Sequence, residues 1–483
     1  MKTVMLLLTP LALWGADIVP HPKLLKFEPL TYQAPKAAQY RHALPNGAVA
    51  YLVEDHVFPL VNISVTIRTG QYLDPPGKEG LASLAGSQVR AGGTKSLSAL
   101  DFDEEADFLA ANINSGIADT QGVASLNCLA RNLDPSLKLF FDMLLNPGFD
   151  EQRLNIAKAR ILQSLARRND KTDEIENREF LRLLRGPSHF SNLKETKASI
   201  ESITRDDLLA FHKKYFNPAR FIFAVSGDFN AKEMLSKLEL SGTGFSLSEV
   251  PKVPKPDYAP RPGVFLIDKP EVNQCRVSIG HLSITRDNPD HFALDILNQI
   301  LGGGQFTSRI TARVREQEGL AYSAASTISF GTYYDGVVRG FFQSKSATCA
   351  QAASIVLEEI DRIRKDKVSA QELATAISYQ TEIFPRFFAT PSIVAATFAA
   401  DEYTKRTANY WETYRDRMRA VTADEVLRVA QKYLHPDQLV ILAVGNAGDV
   451  LKGDPNRPQY SLEKLGPITR LPLPDPVTMV YPK

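Results

Sequence analysis

The sequence contains little cysteine. Its 483 residues include only Cys128, Cys275 and Cys349, and no two of them have the Cys-x-x-Cys spacing of a zinc or redox motif. This scarcity excludes a small fold held together by several disulfides and a metal site built from clustered thiolates. An odd number permits at most one disulfide, and the spacing does not select a pair. We therefore expect the three cysteines to be buried as small apolar side chains.

An excess of charge of either sign is also missing. The chain has 56 basic and 55 acidic residues, which give a formal net charge of +1. So balanced a chain creates no long-range field that would attract nucleic acid or an anionic membrane, and neither is an expected partner. The hydrophobic content of 44% is that of a globular protein, and the length allows more than one core.

The sequence has no uninterrupted apolar run of the about 20 residues that a membrane-spanning helix requires. An apolar segment from Val4 to Trp14 follows Lys2, and the small residues Gly15 and Ala16 come after it. This order is typical of a signal peptide. We predict a signal peptide at residues 1–16, export to the periplasm and no transmembrane segment in the mature chain. A buried N-terminal strand or a lipid-facing anchor is the alternative.

Two segments repeat the same pattern 218 residues apart. Each copy begins with a threonine followed three residues later by an acid, continues as an amphipathic helix, turns at a proline and enters an apolar strand. A repeat this long is typical of a duplicated domain rather than a solenoid. The shared residues are Thr204 and Thr422, Asp206 and Asp424, Leu209 and Leu427, Lys214 and Lys432, Tyr215 and Tyr433, and Pro218 and Pro436.

A proline-rich segment from Val250 to Pro262 separates the two copies and is typical of a stiff, extended linker. We place an N-terminal domain at 41–248, the linker at 249–262, a C-terminal domain at 263–449 and a proline-rich tail at 450–483. Each half has strand patterns before and between long helices. The predicted fold class is therefore α+β: two duplicated domains, each a mainly antiparallel sheet packed with helices, joined by the linker in a clamshell.

The segment GLASLAGS at residues 80–87, followed by Gly-Gly-Thr at 92–94, resembles the signature helix of the pitrilysin/insulinase peptidase family. This family includes the mitochondrial processing peptidases. In its active members the helix carries His-x-x-Glu-His, in which the histidines bind zinc and the glutamate is the general base. The corresponding positions here are Ser83, Gly86 and Ser87. The resemblance therefore implies a member with a degenerate zinc motif.

The family's third zinc ligand is a glutamate on a second helix, and the resemblance places it at Ser164, 77 residues after Ser87. Serine hydroxyls and glycine do not replace the strong donors that zinc requires. The eight histidines form no i,i+3 or i,i+4 pair that could do so. No histidine or lysine neighbours Ser83 or Ser87 in the sequence to act as a base for a nucleophile. We expect no metal or other cofactor in this chain, with small residues filling the vacated site.

The string REQEGLAY, from Arg315 to Tyr322, closely resembles the family's second-domain motif. There, an arginine and a tyrosine seven residues apart reach the substrate at the zinc site, so the resemblance implies a catalytic role for Arg315 and Tyr322. A guanidinium and a phenol can both donate hydrogen bonds to a peptide carbonyl or an oxyanion. In the alternative, Arg315 only caps or pairs at a helix end and Tyr322 only begins a strand.

Two further segments match positions that contact substrate in the family. Gly302, Gly303 and Gly304 lack the spacing of a nucleotide-binding loop, and a flexible turn between helices is the ordinary interpretation. The inactive subunit of related processing peptidases has a glycine-rich loop that touches substrate, so the resemblance implies peptide binding here. The segment Ala111–Ser115 resembles the family's edge strand, with Asn114 at its characteristic asparagine. Such an edge can bind a peptide strand without metal, although an ordinary turn-flanking asparagine is the alternative.

Loss of the metal ligands beside a retained Arg315 and Tyr322 leads to a specific hypothesis. The chain would be the non-catalytic subunit of a heterodimeric zinc metallopeptidase. It would supply these two residues and half of a peptide-degrading chamber to a homologous, zinc-bearing partner, and the substrates would be unfolded peptides. A stand-alone peptide-binding or structural scaffold is the second hypothesis, and an autonomous zinc peptidase is the third.

Overall fold

The computed structural model describes residues 19–21, 24–26, 31–239, 245 and 249–482. The predicted signal peptide at 1–16 lies outside these residues. Contacts divide the chain after Gln33, and both sheets belong to the unit Ala34–Lys483.

Within the described residues, twelve strands form two sheets of six strands each. The first sheet consists of β1 (Arg41–Ala43), β2 (Val49–Glu54), β3 (Leu60–Ile67), β4 (Asn112–Ile117), β5 (Gly122–Leu129) and β6 (Ile222–Gly227). The second consists of β7 (Gly263–Asp268), β8 (Gln274–Leu282), β9 (Ala321–Ile328), β10 (Val337–Lys345), β11 (Val440–Gly445) and β12 (Ile468–Arg470).

The two sheets have the same internal strand order. The first runs β1-β2-β6-β3-β5-β4 and the second β12-β7-β11-β8-β10-β9. The pairs β2–β6 and β7–β11 are parallel, whereas the three pairs on the β3 side of the first sheet and the β8 side of the second are antiparallel. This match confirms the predicted α+β fold of two duplicated domains. The described residues 249–262 between the sheets contain no helix or strand, and the exact domain limits stay a prediction.

Sixteen α-helices lie in the described part of the chain, eight in each half. Those of the first half are α1 (Leu81–Ala91), α2 (Ala99–Phe108), α3 (Leu133–Leu145), α4 (Glu151–Leu165), α5 (Thr172–Arg185), α6 (Lys197–Ser202), α7 (Arg205–Tyr215) and α8 (Ala231–Leu238). Those of the second half are α9 (His291–Asn298), α10 (Arg309–Thr311), α11 (Cys349–Lys365), α12 (Ala370–Glu382), α13 (Pro391–Thr404), α14 (Tyr410–Arg419), α15 (Ala423–Tyr433) and α16 (Ala447–Lys452).

The sequence repeat forms the same helix and strand in both halves. At the start of α7, the Thr204 backbone N–H donates to the Asp207 carboxylate at 2.8 Å, and the Thr204 side chain caps the Asp207 N–H. At the start of α15, Thr422 and Glu425 make the same pair of bonds, with the backbone donor at 2.9 Å. Each cap satisfies two N–H groups that the helix itself leaves unpaired. The predicted helix starts are confirmed.

Alternation of apolar residues places one face of each sheet against a core. In β3, Val61, Ile63, Val65 and Ile67 are buried, and the residues between them are partly exposed. Helix side chains such as Phe140 of α3 belong to the same cluster. Full burial of one such side chain stabilises the fold by about 2 kcal/mol.

One helix of each half packs on the sheet of the other half. α5 packs on β8 and β11, and α13 packs on β2 and β6. Glu176 on α5 accepts hydrogen bonds from Arg339 on β10 at 2.6 and 2.7 Å. Glu402 on α13 accepts from Arg41 on β1 at 2.9 and 3.0 Å. The two sheets are therefore joined by reciprocal helix packing and by two charge pairs.

The proline-rich tail extends from the second sheet to the first half. β12 adds to the second sheet beside β7. Further on, the Pro474 carbonyl accepts from Asn169 Nδ2 at 2.8 Å, and the Pro476 carbonyl accepts from Arg168 Nη1 at 3.2 Å. The Tyr481 hydroxyl then donates to a buried carboxylate on α5 at 2.9 Å. The tail thus fastens the turn between α4 and α5.

All three cysteines are buried and free, which confirms the expected burial. The hydrogen bond of the Cys275 thiol with Cys349, together with burial, raises the pKa of Cys275 well above its ordinary value.

No single helix in the described ranges is both long and apolar enough to cross a membrane. The segments Ala370–Phe388 and Pro391–Thr404 meet that requirement only as a pair, which is bent by 100°.

The contact of α5 with the second sheet generates a stability prediction. The side chain of Glu176 is only 2% exposed, so Glu176→Gln leaves Arg339 without its charge partner at a buried contact. We expect the free energy of unfolding to fall by about 3 kcal/mol, measured by urea denaturation. As a control, Glu201→Gln removes a carboxylate that is 53% exposed and should change stability by about 0.5 kcal/mol or less. Equal effects of the two substitutions would contradict the role assigned to Glu176.

Candidate functional site

Helix α1, which carries three positions of the degenerate motif, begins at a partly buried carboxylate. Asp74 accepts hydrogen bonds from the backbone N–H groups of Gly80 at 2.9 Å and Ala82 at 2.7 Å. Burial disfavours the charged form and raises the pKa of Asp74 to about 6, although these two bonds oppose the shift. Gly80 adopts a positive φ of 102°, a conformation that favours glycine, where the chain enters the helix. Asp74 and Gly80 therefore fix the start of α1.

Gly86, at the position of the family's general base, lies directly against β4. A Cβ atom at this position would be 2.5 Å from the Ile117 backbone nitrogen and 2.8 Å from the Gly116 carbonyl carbon. Both neighbours are backbone atoms of a paired strand, so they cannot move aside as a flexible side chain does. A glutamate does not fit at position 86 unless α1 and β4 separate.

The serines at the zinc positions hydrogen-bond within their own helices. Ser87 is exposed, and its hydroxyl donates to the Leu84 carbonyl at 3.1 Å. The Ser164 hydroxyl donates to the Ile161 carbonyl at 2.7 Å. Ser83 and Ser164 both line one cavity of about 770 Å³ between α1 and α4. The two helices therefore meet where the family resemblance places a metal site.

The residues at this meeting point do not fit a zinc ion. Two of the three serine hydroxyls point to helix carbonyls, and Gly86 provides no donor. Within the described residues, no three His, Cys, Asp or Glu side chains lie close enough together to hold a metal ion.

Arg315 and Tyr322 lie together in the second half. Arg315 belongs to a π-helical segment, Ala312–Gln317, and Tyr322 is the second residue of β9. The Arg315 guanidinium lies 4.8 Å from the centroid of the Tyr322 ring and 4.5 Å from that of Phe306. Tyr322 is 85% exposed and Phe306 is 56% exposed. Cation–π contacts with two aromatic rings thus hold an accessible guanidinium in place.

Gly302 and Gly303 line the same cavity of about 420 Å³ as Arg315 and Tyr322. The expected flexible turn is not what the structure contains: Gly302 and Gly303 end a π-helical segment, Gln299–Gly303, that continues α9, and Gly304 follows it. A Cβ at Gly302 would lie 2.3 Å from the Ser326 backbone nitrogen. Glycine is required here because β9 approaches the helix so closely.

A charge pair holds the segment before Arg315. Arg309 on α10 donates to both oxygens of Glu372 at 2.6 and 3.0 Å, and Glu372 also forms a capping box with Ser369 at the start of α12. Burial raises the pKa of Glu372, but the hydrogen bonds from Arg309 and Ser369 outweigh it and lower that pKa to about 2. The carboxylate therefore stays charged at neutral pH and fixes α10.

Asn114 lies in a third place, separate from the other predicted residues. The predicted edge strand is β4, whose only strand partner in the described residues is β5. Asn114 donates to Asn112 Oδ1 at 2.6 Å and lines a small cavity between the sheet and α13. Arg90 Nε donates to the Ile113 carbonyl at 3.1 Å, so one acceptor of this strand is already occupied. The structure does not bring Asn114 next to Arg315.

Phe306 was not singled out from the sequence. It follows the glycine run within a short 3-10 turn, and Gln305 before it has a positive φ of 50°. Neither the spacing from Phe306 to Arg315 nor any local motif indicates the stacking. The path that the folded chain takes after the glycine run places the Phe306 ring beside the Arg315 guanidinium.

Two family models match the chain. One, described as insulinase (peptidase family M16), matches residues 49–184, and the other, described as peptidase M16 inactive domain, matches residues 202–379. Together the matches extend over more than half of the chain and cover most strands of both sheets.

Curated relatives are similar at low identity. An uncharacterized zinc protease of Rickettsia bellii is 24% identical over 67% of this chain and 82% of its own length. The non-peptidase homolog YmxG of Helicobacter pylori is 24% identical over 67% of this chain and 74% of its own length. A probable mitochondrial-processing peptidase subunit beta of Arabidopsis thaliana is 22% identical over 84% of this chain and 78% of its own length.

Solved structures share the two-domain fold. The peptidase M16 inactive domain from Pseudomonas fluorescens superposes with a TM-score of 0.74 at 22% identity, covering 84% of this chain and 97% of that one. The periplasmic protease PqqL from Escherichia coli gives a TM-score of 0.72 at 17% identity, covering 89% of this chain and 49% of that one.

The close contact of Gly86 with β4 predicts that replacing this helical glycine with alanine lowers the stability of the protein instead of raising it. In an unhindered helix, glycine to alanine stabilises by about 1 kcal/mol. We expect Gly86→Ala to destabilise by about 2 kcal/mol instead, because its Cβ would overlap the β4 backbone. The measurement is the free energy of unfolding in urea. Ser87→Ala, on the exposed face of the same helix, is the control and should be nearly neutral. A Gly86→Ala variant as stable as the wild type would refute the packing argument.

The Arg309–Glu372 pair predicts a pH dependence. The folded pKa of Glu372 is depressed to about 2, so its contribution is present above the unfolded value of about 4.5 and is lost as pH falls toward 2. Glu372→Gln should therefore lower stability by about 2 kcal/mol at pH 7, and its difference from the wild type should shrink between about pH 5 and pH 2.

Chemical denaturation across this pH range measures the effect. Glu382→Gln, an exposed position on the same helix, is the control and should show no such convergence. A Glu372→Gln difference that stays constant from pH 7 to pH 3 would argue against a stabilising ion pair.

Proposed function

Because this chain is an inactive-type member of the insulinase family of peptidases, family M16, we propose that it is the non-catalytic subunit of a heterodimeric zinc metallopeptidase. Its partner would be a homologous subunit with an intact His-x-x-Glu-His helix. This chain would supply Arg315 and Tyr322 to the partner's site and would form half of a chamber for unfolded peptides.

One observation carries the proposal: the two parts of the expected active site lie in separate cavities of this chain. The cavity of Ser83 and Ser164 shares no lining residue with the cavity of Arg315 and Tyr322. The first has serines at the positions of the family's zinc ligands, whereas the second has an exposed phenol and an ordered guanidinium. An intact donor pair without a metal site of its own is suited to act on a substrate held by another subunit.

The chemistry available to this chain is hydrogen-bond donation. The Tyr322 hydroxyl makes no hydrogen bond with any described residue and is therefore free to donate to a peptide carbonyl. Arg315 carries a permanent charge, and stacking between Phe306 and Tyr322 reduces the conformational freedom that it would lose on binding. Donors fixed before the reaction stabilise a developing oxyanion most effectively. Zinc and the general base would come from the partner.

The proposal also includes the compartment. A periplasmic location agrees with the signal peptide predicted at residues 1–16 and with the likeness in fold to a periplasmic protease, PqqL. The relative from Arabidopsis thaliana is described as a subunit of a processing peptidase, which supports assembly with a second chain.

A stand-alone peptide-binding or scaffold protein is the second candidate. It is favoured by the description of the Helicobacter pylori relative as a non-peptidase homolog and by the polar cavity beside Asn114 on the first sheet. Such a protein would bind peptides without a partner, and Arg315 and Tyr322 would have no effect on the activity of any homologue.

Peptide cleavage by the reconstituted pair distinguishes these candidates. We expect this chain alone to be inactive and to activate a zinc-bearing homologue from the same organism. Because each substitution removes a donor to the oxyanion, Arg315→Ala in this chain should lower kcat of the pair about 100-fold and Tyr322→Phe about 10-fold or more. Matched controls are Arg131→Ala and Tyr379→Phe, at exposed positions outside the cavity.

Co-purification shows whether the two chains assemble, and a zinc assay shows which chain carries the metal. Full activity of the homologue alone, or of a pair that contains Arg315→Ala, would refute the proposed role. Stoichiometric zinc in this chain by itself would also refute it.

A further inference from the structure

The cavity between α1 and α4 is lined mostly by polar and charged side chains. Arg160 lies one helical turn before Ser164 on the same face of α4, and Arg167, Arg168 and Lys171 follow in the turn that leads to α5. Four basic residues thus surround the position where the family resemblance places a metal ion. A cation is an unfavourable occupant of such a cavity, and an anion is a favourable one.

Pairing among the lining charges leaves an excess of positive charge. Of the three lining carboxylates, Glu195 pairs with Arg168 at 3.3 Å and Glu174 pairs with Lys171 at 2.9 Å. The third, Asp170, has no side-chain partner among the described residues. Two guanidinium groups, those of Arg160 and Arg167, also make no hydrogen bond or ion pair with any described residue. They remain available to a ligand.

The basic wall is held by both halves of the chain. Arg168 donates to the Glu195 carbonyl at 2.8 Å and to the Pro476 carbonyl of the tail at 3.2 Å. Lys269, at the end of β7, donates to the Asn169 carbonyl at 2.9 Å. Contacts from the tail and from the second sheet therefore fix the backbone of the turn, which reduces the ordering required when a ligand binds.

We propose that this cavity binds a carboxylate group of a peptide, with Arg160 and Arg167 as its charged donors. A guanidinium can donate two parallel hydrogen bonds to one carboxylate, and Ser83 and Gln163 place further donors in the same cavity. The proposal rests on the proposed function, because it assigns a substrate preference to the peptide chamber. The position of a lost metal site becomes a site for acidic peptides.

The carboxylate can come from an acidic side chain or from the C-terminus of the peptide. Three peptides of equal length, each labelled with an uncharged fluorophore, separate these sources: one with two glutamates and an amidated C-terminus, one with glutamines in their place and an amidated C-terminus, and the glutamine peptide with a free C-terminus. Fluorescence anisotropy with the full-length chain measures each dissociation constant at low and at moderate salt.

We expect at least one carboxylate-bearing peptide to bind about tenfold more tightly than the neutral peptide. This preference should weaken with added salt, because the arginines are exposed. The double variant Arg160→Gln, Arg167→Gln should abolish the preference and leave binding of the neutral peptide unchanged. Arg131→Gln, at an exposed position outside the cavity, is the control. Because Arg160 and Arg167 have no partners, the double variant should keep the wild-type unfolding midpoint.

Two results would overturn the proposal alone: equal binding of all three peptides, or a preference that the double variant retains. The proposed function can survive both results, since activation of a zinc-bearing homologue through Arg315 and Tyr322 is measured separately. Failure of the chain to bind any peptide would overturn both the carboxylate site and the peptide chamber.

Discussion

The reciprocal packing of α5 and α13 is the constraint on which the rest of the structure depends. Each helix belongs to one half of the chain and packs on the sheet of the other half. The buried Glu176–Arg339 pair and the Arg41–Glu402 pair fix these contacts across the duplicated domains. Because the two sheets cannot shift freely, the cavity of the degenerate motif and the cavity of Arg315 have a fixed position relative to each other.

The degenerate zinc motif has a packing component as well as a chemical one. Gly86 allows α1 to lie so close to β4 that no side chain fits between them. Regaining a general base would therefore require more than one substitution, since the helix would also have to move away from the strand. The basic residues around Ser164 oppose a cation on electrostatic grounds. In contrast, the cavity of the second half has an exposed phenol, an ordered guanidinium and Gly302, which lets β9 approach.

Much of the fold was predictable from the sequence because local patterns determine it. The threonine-acid caps of α7 and α15 satisfy helix N–H groups within four residues, so they could be located without tertiary information. Strand patterns before and between the long helices predicted an α+β fold for each half. The glycine run was misinterpreted as a flexible turn: Gly302 and Gly303 end a π-helical segment. Gly302 is a glycine because a Cβ there would overlap the backbone of Ser326, a distant residue on β9. Phe306 could not be identified from the sequence, since its contact with Arg315 depends on the path of the folded chain between the glycine run and Arg315.

The sequence by itself determined the duplicated α+β architecture, the missing zinc ligands and the retained arginine and tyrosine. These depend on residue type and on short spacings, which sequence alone displays. Only the tertiary structure decided that α1 closes against β4, that Asn114 lies apart from Arg315, and that Arg160 and Arg167 share a cavity with Ser83. These are contacts between segments far apart in the chain, and their geometry depends on how the helices and sheets pack together.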